Sequence, residues 1–240
     1  GHDCGHGPAG HASEGALSPF VEGGYHHAIY GADVVLAPLN LCAETLDAIR
    51  NHSWNRPAPA TPEGEVVAWA DRIAYVCHDF EDAVAAGIVT VDDLPREVRE
   101  MLGSERRVQL GNLITAMIDT ITSTGAVALR AAEAEALAAF RAFNYERIYL
   151  RDESVAQAES AAAVITELCG YFIEHPERIR HGGHPLGAVP AGTGTGLHRG
   201  IEPDPVADAV RYVSGMTDRY LLRCAVDELG WDPTRLPLGV

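Results

Sequence analysis

The chain has 240 residues, 47% of them apolar, and a formal net charge of −16. That length accommodates one large domain or two small ones around a sizeable core, and the apolar content excludes a disordered chain. With no basic run to offset the charge, nucleic acid and anionic membranes are poor partners, and an anionic small molecule would need local help from a metal or a few arginines. Every basic residue other than histidine is arginine, which weakens any single arginine as a sign of bidentate recognition. Cys4, Cys42, Cys77, Cys169 and Cys224 are scattered, odd in number and free of CxxC pairs, which indicates a reducing cytoplasm and mostly buried thiols. Nothing resembles a signal peptide and no apolar run reaches the length of a membrane span. The chain opens without methionine and inside a motif, as the interior of a longer protein would.

In chain order the sequence predicts helices separated by proline and glycine. Ser18-Pro19 interrupts the opening stretch, and residues 25–36 are predicted helical up to Pro38. A second helix is predicted over 42–52, with Leu46 and Ile49 on one side, before a proline-rich loop over 56–62. Thr61-Pro62-Glu63 then supplies a cap, a proline at the first position and acid in the first turn of a helix over 63–86. Shorter helices follow from Asp92-Asp93-Leu94-Pro95, over 104–122, over 131–143 and over 154–174. Residues 181–200 collect seven glycines and two prolines and suit a mobile loop or lid rather than a domain boundary. Residues 205–229 close the chain as one last helix. No period-2 strand or repeat is visible, so the fold class is all-α.

Two stretches carry chemistry. Residues 1–14, GHDCGHGPAGHASE, gather His2, Asp3, His6, His11 and Glu14 among small residues. Adjacent His and Asp offer nitrogen and oxygen donors to a divalent cation, while glycine and alanine let backbone and substrate approach closely. His11 and Glu14 are three apart and would share a helix face, where the carboxylate can orient the imidazole for acid–base work. An expression tag would supply Gly and His, but not this ordered Asp, Pro and Glu. The second stretch is DRIAYVCHDFED, residues 71–82. At roughly 100° per residue, Asp71, Tyr75, His78, Asp79 and Asp82 share about a third of the helix, with Arg72 at the edge and Ile73, Ala74, Cys77 and Phe80 opposite. A solvated surface would show the same split; Tyr and His among the acids suit a site wall better.

The order H-D-x-G-H-x-P-x-x-H-x-x-E, followed by a helix with D-R-I-A-Y-x-x-H-D, resembles the HD-domain deoxynucleoside triphosphate triphosphohydrolases, the dGTPase-like enzymes. Leu39-Asn40-Leu41, Asn51-His52-Ser53, Gly87-Ile88, Asp93-Leu94-Pro95 and Gly215-Met216-Thr217-Asp218-Arg219-Tyr220 agree with it, so that it spans Gly1 to about Tyr220. The resemblance implies a single HD-type helical bundle over residues 1–240, N-terminally incomplete, with additional C-terminal helices. It implies a divalent metal (Mn, Mg, Fe, Ni or Co) on His2, Asp3 and Asp71, with a further family histidine that has no counterpart in this chain. It implies catalytic roles for His11, Glu14 and His27, and substrate contacts from His6, Arg72, Tyr75 and Asp79. Arg72 and Tyr75 match positions that hold the triphosphate and sugar, and Asp79 the one that reads the 3′-hydroxyl. Around His27, the residues Ala28, Tyr30 and Gly31 depart from the family's polar pattern, and Ala9 stands where an aromatic is common. A deoxynucleotide substrate, a dNTP effector and a homo-oligomer are likewise implied. Two other classes remain open: an HD phosphohydrolase acting on nucleoside monophosphates or alarmones, and a non-catalytic nucleotide sensor or scaffold. His78 and the arginines Arg147, Arg151 and Arg219 read as packing or surface groups, with Asp218 and Arg219 as an internal ion pair.

Overall fold

Thr61-Pro62 starts the longest helix among the described residues, as the sequence predicts. In the computed structural model, which describes residues 1–179 and 204–237, the Thr61 side chain accepts from the Gly64 N–H at 3.2 Å and Pro62 opens a 24-residue helix. Proline costs nothing there, because the first-turn N–H groups have no intrahelical acceptor. Among the described residues the secondary structure is helical throughout, and no strand is present. Ten α-helices occur: α1 (His11–Leu17), α2 (His27–Tyr30), α3 (Ala43–Arg50), α4 (Pro62–Ala85), α5 (Arg96–Leu102), α6 (Arg106–Thr124), α7 (Ala131–Asn144), α8 (Asp152–Glu174), α9 (Pro205–Ser214) and α10 (Asp218–Leu229). The loop expected over 181–200 lies outside the described residues.

The chain divides into two compact units, one of residues 1–41 with 156–240 and one of residues 42–155. In the second unit, α4 turns Ile73, Val76, Cys77, Phe80 and Ala83 inward, against Val98 and Leu102 of α5, Leu113 of α6 and Leu137 and Phe140 of α7. Phe80 meets Phe140 edge-on at 5.4 Å between ring centroids, a favoured aromatic geometry. Opposite this apolar stripe, Asp71, Tyr75 and Asp79 are partly exposed and His78 and Asp82 exposed, so the two-faced pattern read from the sequence is present. In the first unit, Leu17 of α1 packs with Val164, Ile165, Leu168 and Phe172 of α8, Val210 and Val213 of α9 and Leu221 and Ala225 of α10. All five cysteines are free, and Cys77, Cys169 and Cys224 are buried. No described helix is long and apolar enough to cross a membrane.

The single closing helix is corrected to two. Asp204 caps α9 by accepting from the N–H groups of Val206 and Ala207, and α9 stops at Gly215. Thr217 caps a new start, accepting from the Tyr220 N–H. A second cap signal inside an apolar-periodic run outweighs the continuity of the run. The segment predicted helical over 25–36 is also divided: α2 passes into a π-helical turn, Gly31–Val35, where the Leu36 N–H donates to the Gly31 carbonyl at 2.9 Å. A second π turn, Tyr145–Tyr149, follows α7.

Replacing Thr61 by alanine should lower stability by about 1 kcal/mol in urea unfolding, and Thr61→Ser should recover most of it. An unchanged midpoint for Thr61→Ala would show that the cap does not hold the start of α4.

Candidate functional site

The first cluster is built on a backbone contact. A Cβ on Gly5 would lie 2.1 Å from the His27 carbonyl oxygen and 2.4 Å from the Gly31 nitrogen, and a Cβ on Gly31 would lie 3.1 Å from the Gly5 nitrogen. Glycine at both places lets the opening loop press against the end of α2. The Tyr25 hydroxyl donates to the Gly5 carbonyl at 2.6 Å and anchors the loop from below.

This contact stacks His6 on His27, with ring centroids 3.8 Å apart and planes 11° from parallel. His11 meets both rings edge-on, at 4.8 and 5.3 Å. Glu14, one turn along α1 from His11, ties the group together. Its Oε1 lies 2.5 Å from Nδ1 of the buried His27 and accepts the His27 backbone N–H at 2.9 Å, while Oε2 lies 3.4 Å from His11 Nδ1. Burial raises the pKa of Glu14, but hydrogen bonds from His11 and His27 outweigh it and hold the carboxyl well below its usual range. His26, partly buried, accepts the Ala28 N–H and caps α2.

Asp3 Oδ1 faces His6 Nε2 at 3.5 Å and His27 Nε2 at 3.7 Å, and Asp3 Oδ2 lies 3.0 Å from His2 Nε2. Two donors at about 2.0–2.2 Å from one cation subtend a separation of roughly 3 Å, so the His2 and Asp3 pair fits a shared divalent ion. His6, His11, Glu14 and His27 also bring donor atoms within 4.8 Å of one another. His2 and Asp3 belong to the first unit, Asp71 to the second.

The second cluster lies on α4 and α7 within the second unit. The Arg72 guanidinium sits 4.5 Å from the centroid of Trp54 and 5.3 Å from that of Trp69. Arg141 lies 4.9 Å from Trp54 and 4.8 Å from Tyr145, and its Nε–H donates to the Tyr75 oxygen at 2.9 Å. Neither arginine forms an ion pair among the described residues. Aromatic faces hold each cation, and burial lowers the Arg72 pKa against the pull of Asp71. Burial raises the Tyr75 hydroxyl against the pull of Arg141, so the phenol stays neutral. The Tyr149 hydroxyl donates to Asp79 Oδ2, and burial, reinforced by Asp79, raises its pKa as well. Beside Arg72 a cavity of about 190 Å³ is lined by Ala58, Pro59, Glu65, Ala68 and Trp69.

Among the described residues, four buried side-chain polar atoms lack a partner, and two of them are His6 Nδ1 and Arg72 Nε. An unpaired buried polar atom costs about 1–3 kcal/mol, a cost that a bound ligand can offset. Both residues were singled out from sequence. Arg141, Tyr149 and Trp54 were not, although the spacing of Arg141, Tyr145 and Tyr149 was a legible signal. Arg147 and Arg151 pair with Asp93 at 3.8 Å and Glu153 at 3.1 Å, in keeping with surface groups. The expected Asp218–Arg219 pair is corrected: Asp218 Oδ1 accepts the Ala9 N–H, and Arg219 is exposed.

No protein-family model matches the chain. Curated relatives do. The chain is 32% identical over 228 residues to a deoxyguanosinetriphosphate triphosphohydrolase-like protein of Caldanaerobacter subterraneus subsp. tengcongensis, a match covering 92% of this chain and 63% of the relative. Proteins of the same description in Clostridium perfringens and Clostridium tetani are 32% and 29% identical, each over 238 residues, 92% of this chain and 65% and 64% of theirs. The chain thus spans just under two thirds of the length of these relatives.

Gly5→Ala should cost about 1–3 kcal/mol, as overpacking does, whereas Gly15→Ala, with nothing within 4 Å of the added carbon, should be neutral or stabilising in urea unfolding. Glu14 gives a second expectation. Its pKa in the folded protein lies below the ordinary 4.5, so at lower pH the unfolded chain binds more protons. The contribution is complete above that value and is lost as pH falls through the folded pKa. Stability of the Glu14→Gln variant should vary less with pH below 4.5 than that of the native sequence, and parallel curves in acid titration would refute the assignment.

Proposed function

We propose that this chain, which belongs to the deoxyguanosinetriphosphate triphosphohydrolase-like family, hydrolyses deoxynucleoside triphosphates to the deoxynucleoside and inorganic triphosphate. The reading takes the whole chain as one HD-type domain, cytoplasmic and homo-oligomeric, with a dNTP effector. The observation that carries it is Glu14 bridging His11 and the buried His27.

A divalent cation would be held by His2 and Asp3, with Asp71 as the third donor that the family resemblance implies, and it would supply Lewis-acid polarisation of the α-phosphate. The rest falls to the side chains. His11 turns Nδ1 to a carboxylate while its ring is largely exposed, and Glu14 stabilises the imidazolium. His11 is therefore suited to give its Nε2 proton to the 5′-oxygen as that oxygen leaves phosphorus. Water adds at the α-phosphorus, and the proton it loses restores the imidazolium. His27 keeps Glu14 ionised through that cycle. His6 Nδ1, buried and unpartnered, meets the phosphate.

Arg72 and Arg141 offset the charge of the triphosphate. Asp79, fixed by Tyr149, reads the 3′-hydroxyl. Tyr75, fixed by Arg141, packs against the sugar where a 2′-hydroxyl would clash.

With Mn²⁺ or Mg²⁺ supplied, phosphorus NMR of the products should show triphosphate from dATP or dGTP and none from ATP. Orthophosphate or pyrophosphate as the first product would assign the chain to a different HD phosphohydrolase. His11→Ala should lower kcat about 10²–10⁴-fold with bound metal unchanged, and Asp71→Asn should lose metal. Equal rates on dATP and ATP would remove Tyr75 as the sugar filter.

A further inference from the structure

We propose that Asp218 is a positioning residue for His11: from the start of α10 its carboxylate holds the turn that launches α1 in a form its own sequence disfavours. The inference deepens the reading above and rests on it for the role of His11.

The turn is Gly7-Pro8-Ala9-Gly10, closed by the Gly10 N–H donating to the Gly7 carbonyl at 3.2 Å. Ala9, its third residue, has φ +60°. Proline at the second position excludes the turns that need positive φ there, so a left-handed third residue means a type II turn. Glycine or asparagine normally occupies that place, and alanine pays roughly 1–2 kcal/mol for it. The type I alternative would spare Ala9 this strain. The two forms differ by a flip of the Pro8–Ala9 peptide, and that peptide's N–H is the one bound: Asp218 Oδ1 accepts it at 2.7 Å. A hydrogen bond to an ionised acceptor is among the stronger kinds and can offset the strain.

The consequence reaches His11 directly, because it is the first residue of α1 and lies two positions after Ala9. Gly10, the cap of α1, offers no side chain to fix the helix start. Ser13 holds the two ends of the turn, accepting the Gly7 N–H at 3.1 Å and donating to the Gly10 carbonyl at 2.6 Å. The middle of the turn is held by Asp218, 209 positions away in sequence. Asp218 is not needed to cap α10, since Thr217 does so.

Three variants test the inference: Asp218→Ala, Asp218→Asn, which keeps an acceptor oxygen, and the double variant Ala9→Gly with Asp218→Ala, in which glycine takes the left-handed conformation unaided. Hydrogen exchange over residues 4–17 scores the clamp without requiring turnover. Asp218→Ala should speed exchange there several-fold, and both Asp218→Asn and the double variant should return it toward the native rate. Triphosphate release should follow the same order, with kcat about 10–100-fold lower in Asp218→Ala, KM within about twofold, and recovery in the other two. Rescue by a glycine in the turn is not expected if Asp218 merely stabilises α10. Unchanged exchange in Asp218→Ala, or no recovery in the double variant, overturns the clamp. Altered exchange with native kcat overturns the positioning role. A native protein that releases no triphosphate overturns the catalytic reading and the role of His11 with it, while the exchange data still score the clamp.

Discussion

The close passage of Gly5 against the end of α2 is the constraint on which the first cluster depends. With backbone atoms where a side chain would otherwise stand, the opening loop lies low enough for His6 to stack on His27 and for Asp3 to face both rings. Glu14 then reaches His27 and His11 from one turn of helix. A methyl group at Gly5 would separate the loop from α2, and none of these distances would survive.

Charge is handled differently in the two units. In the first, one carboxylate serves two imidazoles and stays ionised although partly buried, because its hydrogen bonds exceed its desolvation. In the second, aromatic rings do the holding: Trp54, Trp69 and Tyr145 orient Arg72 and Arg141 without neutralising them. Tyr75 and Tyr149, both kept neutral by burial, serve as rigid spacers that fix Arg141 and Asp79 by hydrogen bonds.

Much of the helical architecture was legible because its signals are local. Thr61, Pro62 and Glu63 announce α4 within three positions, and the apolar face of α4 repeats often enough to identify its buried side. The π turns were not legible, since an extra residue per turn leaves no compositional mark, and Tyr145–Tyr149 is one of them. Within that turn Arg147 meets Asp93 and Tyr149 meets Asp79. The break at Gly215 was missed for a related reason: apolar periodicity on either side of it is continuous, and only the threonine cap distinguishes two helices from one.

By itself, then, the sequence determined the all-α class, the start and sidedness of α4, and the residue types able to bind a cation and move a proton, because capping, periodicity and ligand chemistry act over a few neighbouring positions. Tertiary structure decided which of those residues meet. The pairing of Asp218 with Ala9, of Tyr149 with Asp79 and of Arg141 with Tyr75 joins positions 209, 70 and 66 apart. Such contacts are set by how helices pack and where the backbone can approach itself, and no local pattern encodes them.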